Sequence, residues 1–328
     1  MEDQMKAAVY RQRGAAQDVL TVEELPDPMP GPGEVRVRVH ASGVNPTDWK
    51  SRSADLPMAF EYQIPNQDGA GVIDAVGEGV DAGRVGERVW LFHAALNRVN
   101  GTAAQYTVIP SDQAIPLPEA VSFSQGAGLA IPYITAYGCL YLDGPIKDRT
   151  ILIAGGAGAV GHAAIELAKF DGANVITTVS SPEKAELAKA AGADVVVNYR
   201  DADAIDQIKA AAPGGVDRII EVALGANLDV DLAVLKPAGS IITYAAEPTG
   251  DPQIPVRRLM TDNVTLHFIL VYNFTQTQID DAVAGVSKAL AAGALTPLPE
   301  VHFTLEQAAQ AHLAVEGGAT GKVIIDLV

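Results

Sequence analysis

The rhythm of apolar and polar positions changes twice along the 328 residues of this chain. In the first part Val35, Val37 and Val39 alternate with Arg36, Arg38 and His40, the period of a strand with one buried face. Turn-rich runs such as DPMPGPGE and VGEGVDAGRVGE divide the rest into short strands. Residues 1–123 are therefore predicted to form a compact, barrel-like sheet. From 124 to 270 the apolar runs TILIA, NVITTVS, DVVVNY, DRIIEVA, SIITYA and VTLHFIL alternate with helical spacing, for instance Val160, Ala164, Leu167 and Ala168. Six runs without polar alternation are what a parallel sheet covered on both faces requires. This stretch is predicted to be a doubly wound α/β domain, a Rossmann fold. Residues 271–328 hold helical patterns near Gln276 to Ala292 and Leu305 to Glu316, then a last strand, KVIIDLV. They do not continue the α/β series and are predicted to return to the first domain.

Chemistry enters at the first apolar run of the middle domain. Directly after it, Gly156, Ala157, Gly158, Ala159, Val160 and Gly161 spell G-x-G-x-x-G at the opening of a helix. The first glycine allows a tight turn, the second lets a pyrophosphate approach the backbone, and the third lets the helix pack close to the strand. The phosphates would rest on free N–H groups at the positive end of the helix. Because strand, helix and second strand arrive in order, the pattern predicts a dinucleotide site.

The tip of the second strand indicates which dinucleotide. An NAD site places a carboxylate there, about twenty residues beyond the glycines, on the ribose 2′-hydroxyl. This chain has Ser180 and Ser181 instead, with Lys184 one turn later. Two hydroxyls and an ammonium suit a 2′-phosphate, which favours NADPH. The plainer alternative is that Ser181 caps the helix opening at Pro182 and Lys184 is a solvated charge.

Composition narrows the field. Twenty-three basic and 40 acidic side chains give a net charge of −17, a field that repels nucleic-acid backbones. No run reaches the ~18 apolar residues of a membrane span, and MEDQMKAAVY has no signal-peptide pattern, so a cytoplasmic protein is expected. One cysteine excludes an internal disulfide and a cysteine-rich metal site, and the six histidines show no ligand spacing.

The layout resembles the medium-chain dehydrogenase/reductase superfamily, with a β-rich GroES-like catalytic domain before a Rossmann domain. HASGVNPTDW, NQDGAGVIDAVG, GLAIPYITAYGCL, ILIAGGAGAVGHAAIELAK and GGATGKVIIDL resemble its quinone oxidoreductase/zeta-crystallin branch along essentially the whole chain. Where zinc-dependent members have a cysteine and a Gly-His-Glu, this chain has Asn45 and Asn66-Gln67-Asp68. The resemblance thus implies an enzyme without zinc. It places Asn45 near the nicotinamide as a hydrogen-bond donor to the acceptor carbonyl, and Thr135 on the nicotinamide side. Ser180, Ser181, Lys184 and Tyr199 would surround the 2′-phosphate, while Asn227, Tyr244, Ala245, Ala246, Phe268, Ile269 and Leu270 close over the nicotinamide half. Each has a bland alternative, strand-end packing for Tyr199 and a turn before Pro46 for Asn45. Three positions depart from the family pattern. Lys50, beside Trp49 and counted with the cofactor positions, replaces a tyrosine, and Gly318 or its neighbour, and Glu247, stand where some members have arginine.

The expected reaction is hydride transfer from NADPH to a quinone, an acceptor electrophilic enough to need mainly position and a dry pocket. An α,β-unsaturated carbonyl is the alternative acceptor, and a non-catalytic NADPH-binding sensor or structural protein the alternative class. The run VTLHFILVY (Val264–Tyr272) has no proline or lysine to protect a sheet edge, and family members commonly pair through the matching strand; a homodimer is expected there.

Overall fold

The computed structural model describes residues 4–246 and 252–328. It divides into two compact units, one built from residues up to Ile131 together with Pro299–Val328, the other from Pro132–Leu298.

The first unit is β-rich. Strands β1 (Gln4–Val9) and β2 (Thr21–Pro26) pair antiparallel. They are followed by β3 (Glu34–Val44), β4 (Asp68–Val76), β5 (Arg88–Leu91), β6 (Tyr106–Pro110) and β7 (Ala114–Pro116). The alternation read in the sequence is that of β3, whose Val35, Val37 and Val39 are fully buried. Val35 and Val37 pack with Ile73, Val89, Leu91 and Ile109. Full burial of a side chain of this size contributes roughly 1.5–3 kcal/mol, which holds β3 in one register.

The second unit is a doubly wound α/β fold. Its strands are β8 (Thr150–Ile153), β9 (Asn174–Val179), β10 (Val195–Asn198), β11 (Val216–Glu221), β12 (Leu235–Thr243) and β13 (Thr265–Phe268), all parallel. They correspond one for one to the six apolar runs. The order across the sheet is β10-β9-β8-β11-β12-β13. The chain walks outward from β8 on one side, then crosses to β11 and walks outward on the other. The switch point, where such folds bind ligands beyond the carboxyl ends of the strands, lies between β8 and β11. Leu152, Ile176, Val197, Ile219 and Ile241, one from each of five strands, form the core with Leu224, Leu228 and Leu232.

The predicted boundaries at 123 and 270 need correction. The helix Gln276–Ala291 belongs to the second unit, where its face of Ile279, Ala282, Val286, Ala289 and Leu290 is buried and it packs on the helix Ala159–Phe170. Gly285 gives it close approach, since a Cβ there would collide with the Tyr137 ring. The chain returns to the first unit only from Pro299, as β14 (Glu300–Thr304) and β15 (Lys322–Asp326). These extend the larger sheet of that unit, in the order β14-β15-β3-β4-β5-β7 with β6 also on β3. Among the described residues no helix is long and apolar enough to cross a membrane.

Candidate functional site

In a parallel sheet every carboxyl end lies on the same edge. In the second unit most of the predicted cofactor residues follow such ends. Gly156–Gly161 follow β8, Ser180 and Ser181 follow β9, Tyr199 follows β10, Asn227 lies six residues past β11, Tyr244–Ala246 follow β12, and Ile269 and Leu270 follow β13. Topology brings them to one edge although the sequence spreads them over a hundred positions. Thr135 sits apart from this series, buried on the helix Ala130–Tyr141.

The glycine loop differs in detail from its sequence reading. The turn is made at Gly155, whose φ of +72° suits glycine, rather than at Gly156. Gly156 serves packing, because a Cβ there would strike the Thr177 hydroxyl and Ile165. A Cβ on Gly161 would fall on the Gly155 carbonyl oxygen, so this glycine brings helix and loop together as expected. The first bond of the helix Ala159–Phe170 runs from the His162 N–H to the Gly158 carbonyl at 2.8 Å. The N–H groups of Ala159, Val160 and Gly161 therefore have no carbonyl behind them in the helix. Gly158 is exposed and its Cβ direction is nearly open, so this loop fits a diphosphate seated on those three donors.

At the end of β9, Ser181 caps the helix Pro182–Ala190, its hydroxyl accepting the Lys184 N–H at 3.4 Å. The plainer of its two predicted roles is thus present. No sequence motif marks Glu183, whose carboxylate lies by the helix N-terminus and the same hydroxyl and is held below the usual glutamate range by them. The Lys184 ammonium has no carboxylate partner among the described residues. Tyr199, exposed at the end of β10, has the Arg200 guanidinium over its ring at 5.9 Å. Val179 and Asn198 are register partners, so Ser180 and Tyr199 leave adjacent strands side by side. Arg200 is a second cation at this corner that no motif marked.

Across the switch point, Asn227 donates to the Glu221 carboxylate at 3.0 Å, and the Ala223 N–H donates to the same oxygen at 2.5 Å. Glu221 is buried, which raises its pKa; Asp231 is pushed up to about 9 by burial and by the neighbouring Glu221 charge. Asp231 therefore favours its protonated form at neutral pH. Beyond it, Tyr244 and Ile269 continue the ladder by N–H bonds to the Glu221 and Thr243 carbonyls, at 3.2 and 3.0 Å. Burial raises the Tyr244 pKa further above its ordinary value.

The first unit holds a separate buried polar cluster around Asn45, at the end of β3. The Asn45 side-chain N–H donates to Asp68 at 2.7 Å, and its carbonyl oxygen accepts from the Lys322 ammonium at 2.7 Å. Its backbone N–H donates to Asp48 at 2.7 Å, fixing the entry into the helix Pro46–Ser53. Lys322 also donates to the Val44 carbonyl at 3.3 Å and lies 3.7 Å from Asp68. The Ile131 N–H spans both Asp68 oxygens, at 3.1 and 3.2 Å. Asn45, Asp48, Asp68 and Lys322 are all buried. Burial raises Asp68 to about 6, against the pull of Lys322 and Asn45, and raises Asp48 to about 8 with the help of the Asp68 charge. Burial lowers Lys322, opposed by both carboxylates. Beside this cluster, Asn66 donates to Ser42 at 2.9 Å and meets His312 at 3.0 Å, and the Gln67 side chain accepts the Ala95 N–H at 3.2 Å. Among the described residues no group of three His, Cys, Asp or Glu is placed to hold a metal ion.

Lys50 is exposed on the helix Pro46–Ser53, with its ammonium 5.9 Å over the Trp49 ring, and belongs to the first unit with Asn45. Gly318 takes a φ of +76° just past the helix Ala308–Glu316, a conformation that an arginine would hold only under strain. Glu247 lies outside the described residues.

Comparison with known proteins gives the lineage. The model of the alcohol dehydrogenase GroES-like domain matches residues 31–119, and that of the zinc-binding dehydrogenase matches residues 159–288. A quinone oxidoreductase of Sus scrofa is 34% identical over 91% of this chain and 90% of its own length. Among solved structures, a mycobacterial quinone oxidoreductase superposes with a TM-score of 0.85 at 29% identity, covering 98% of this chain and 99% of that one. Mycobacterial Rv1454c complexed with NADPH gives 0.84 at 29%, with the same coverage.

Proposed function

We propose that this chain, which belongs to the quinone oxidoreductase branch of the medium-chain dehydrogenase/reductase family, is an NADPH-dependent reductase that passes hydride to a quinone and needs no zinc. The observation that carries the reading is the carboxyl edge of the six-stranded sheet, with three N–H groups at its glycine loop that have no helical carbonyl partner, and no carboxylate at the tip of β9 itself. The diphosphate of NADPH binds Gly158–Gly161. Lys184, Ser180 and Tyr199 hold the 2′-phosphate, with Ser181 committed mainly to its helix. Asn227, Tyr244–Ala246 and Phe268–Leu270 line the nicotinamide half.

Bound NADPH supplies the hydride. Asn45 hydrogen-bonds the acceptor carbonyl, the oxygen on which negative charge collects when two electrons and a hydrogen nucleus arrive together. A proton from water then completes the hydroquinone. Amides at positions 45, 66 and 67, with Asn45 held by an ammonium, support chemistry without a zinc ion. The edge strand β13, with Phe268 and Leu270 exposed, supports a homodimer paired along that edge.

Steady-state NADPH oxidation with 1,4-benzoquinone, 9,10-phenanthrenequinone and a panel of enones tests the reading. Turnover confined to enones would move the acceptor class, and no turnover with any of them would overturn the reductase assignment. Elemental analysis accompanies the assay, and stoichiometric zinc whose removal abolishes turnover would overturn the metal-free mechanism.

A further inference from the structure

The cluster around Asn45 contains a residue that no motif assigned a role. Lys322 reaches Asn45 from β15, and it is almost fully buried. Its stem runs past Gly43 and Gly128; a Cβ on Gly43 would lie 3.0 Å from the Lys322 Cε and collide with the Ala127 carbonyl oxygen. The backbone is shaped to admit the chain of a lysine. The ammonium then meets the Asn45 carbonyl oxygen, while Asp68 takes one of the two Asn45 side-chain N–H bonds. The two partners define the amide's orientation, because an ammonium only donates and an ionised carboxylate only accepts. The second N–H is left without an acceptor among the described residues.

An ammonium on an amide oxygen draws electron density from the nitrogen, and in a buried site that polarisation is little screened. The remaining N–H becomes a better donor to an oxygen gaining negative charge, the kind of preorganised donor that stabilises an oxyanion. We propose that Lys322 is a positioning residue for Asn45: together with Asp68 it orients and polarises the Asn45 amide, so that the free N–H stabilises the negative charge forming on the acceptor oxygen. This rests on the reductase reading above. The electron count is unchanged: hydride carries both electrons to the acceptor, the charge settles on the carbonyl oxygen, and water supplies the last proton.

Lys322→Gln keeps a donor for the Asn45 oxygen and removes the charge. Its kcat should fall about 10- to 100-fold, the range that the loss of one charge-assisted hydrogen bond corresponds to. The loss should grow from electron-poor to electron-rich quinones, while NADPH affinity stays unchanged. Should Lys322→Gln fold poorly around the uncompensated Asp68, the double variant Lys322→Gln with Asp68→Asn keeps a neutral hydrogen-bonded network and should show the same acceptor-dependent loss. The Asn45 side-chain amide, observed by ¹⁵N NMR and identified with Asn45→Ala, reports independently of turnover. Its signal should shift upfield in both Lys322 variants relative to wild type. Wild-type inactivity with every acceptor would fell the reductase reading alone, since the amide signal still speaks for or against the polarised donor. An amide signal indifferent to Lys322, or a loss of kcat equal for all acceptors, would overturn this inference.

Discussion

Asp231→Asn should make the protein more stable, and increasingly so as pH rises. In the folded chain the Asp231 carboxyl is pushed to about 9 by burial and by Glu221, against 3.8 when free. Between those values the native state carries a proton that the unfolded chain has lost. The stability belonging to that carboxyl is fully present below about pH 4 and drains away as pH rises towards 9. At pH 7 the gap from 3.8 is 3.2 units, a ceiling of about 4 kcal/mol at 1.36 kcal/mol per unit. Asparagine retains a donor towards Glu221 and has nothing to ionise in either state. Relaxation around the pair lowers the ceiling, and a gain of about 1–4 kcal/mol at pH 7 is expected. Urea unfolding of both proteins from pH 5 to pH 8, read at the midpoint with the slope checked for constancy, measures it. The difference should widen with pH by up to about 1.4 kcal/mol per unit. The exposed neighbour Asp229, changed to asparagine, should show no such trend. Parallel pH curves for Asp231→Asn and wild type, or a variant weaker at pH 8 than at pH 5, would refute the account of a buried, protonated Asp231.

Three further outcomes are expected. Lys184→Ala should remove most of the preference for NADPH over NADH, about 1.5–3 kcal/mol or ten- to a hundredfold in affinity, by calorimetric titration; an unchanged ratio would return the 2′-phosphate to Arg200 and Tyr199. Gly161→Ala drives a Cβ onto the Gly155 carbonyl oxygen, so thermal unfolding should show a loss of about 1–3 kcal/mol together with weaker NADPH binding. Phe268→Lys should convert a dimer to a species near 34.2 kDa by light scattering, whereas a wild-type protein already of that mass would show that the β13 edge is not an interface.

The parts of the molecule that announce themselves in sequence are those decided by local pattern. Each apolar run from TILIA to VTLHFIL became a strand because period and length suffice for a strand buried on both faces. The helix Gln276–Ala291 was visible as a helix, yet its unit was not, since a helical period names the buried face without naming the partner. At the glycine loop the motif pointed to the right place and the wrong turn: Gly155 lies outside the G-x-G-x-x-G spacing, and only its positive φ identifies it. The strand tip gives no sign of Glu183, because its carboxylate comes from the first turn of the next helix. Lys322 was out of reach altogether. It meets Asn45 across 277 residues of sequence, through the antiparallel pairing of β15 with β3.

That pairing has a consequence for how the chain is made. The second unit is one continuous stretch and is fully synthesised before β15 emerges, at a point when the first unit still lacks β14 and β15 from one side of its sheet. Until then Asp48 and Asp68 have no ammonium between them, and burying them would cost several kcal/mol. The Asn45 cluster of the first unit is therefore completed only by a strand that follows the whole of the second unit in the chain, so the two carboxylates gain their ammonium partner last.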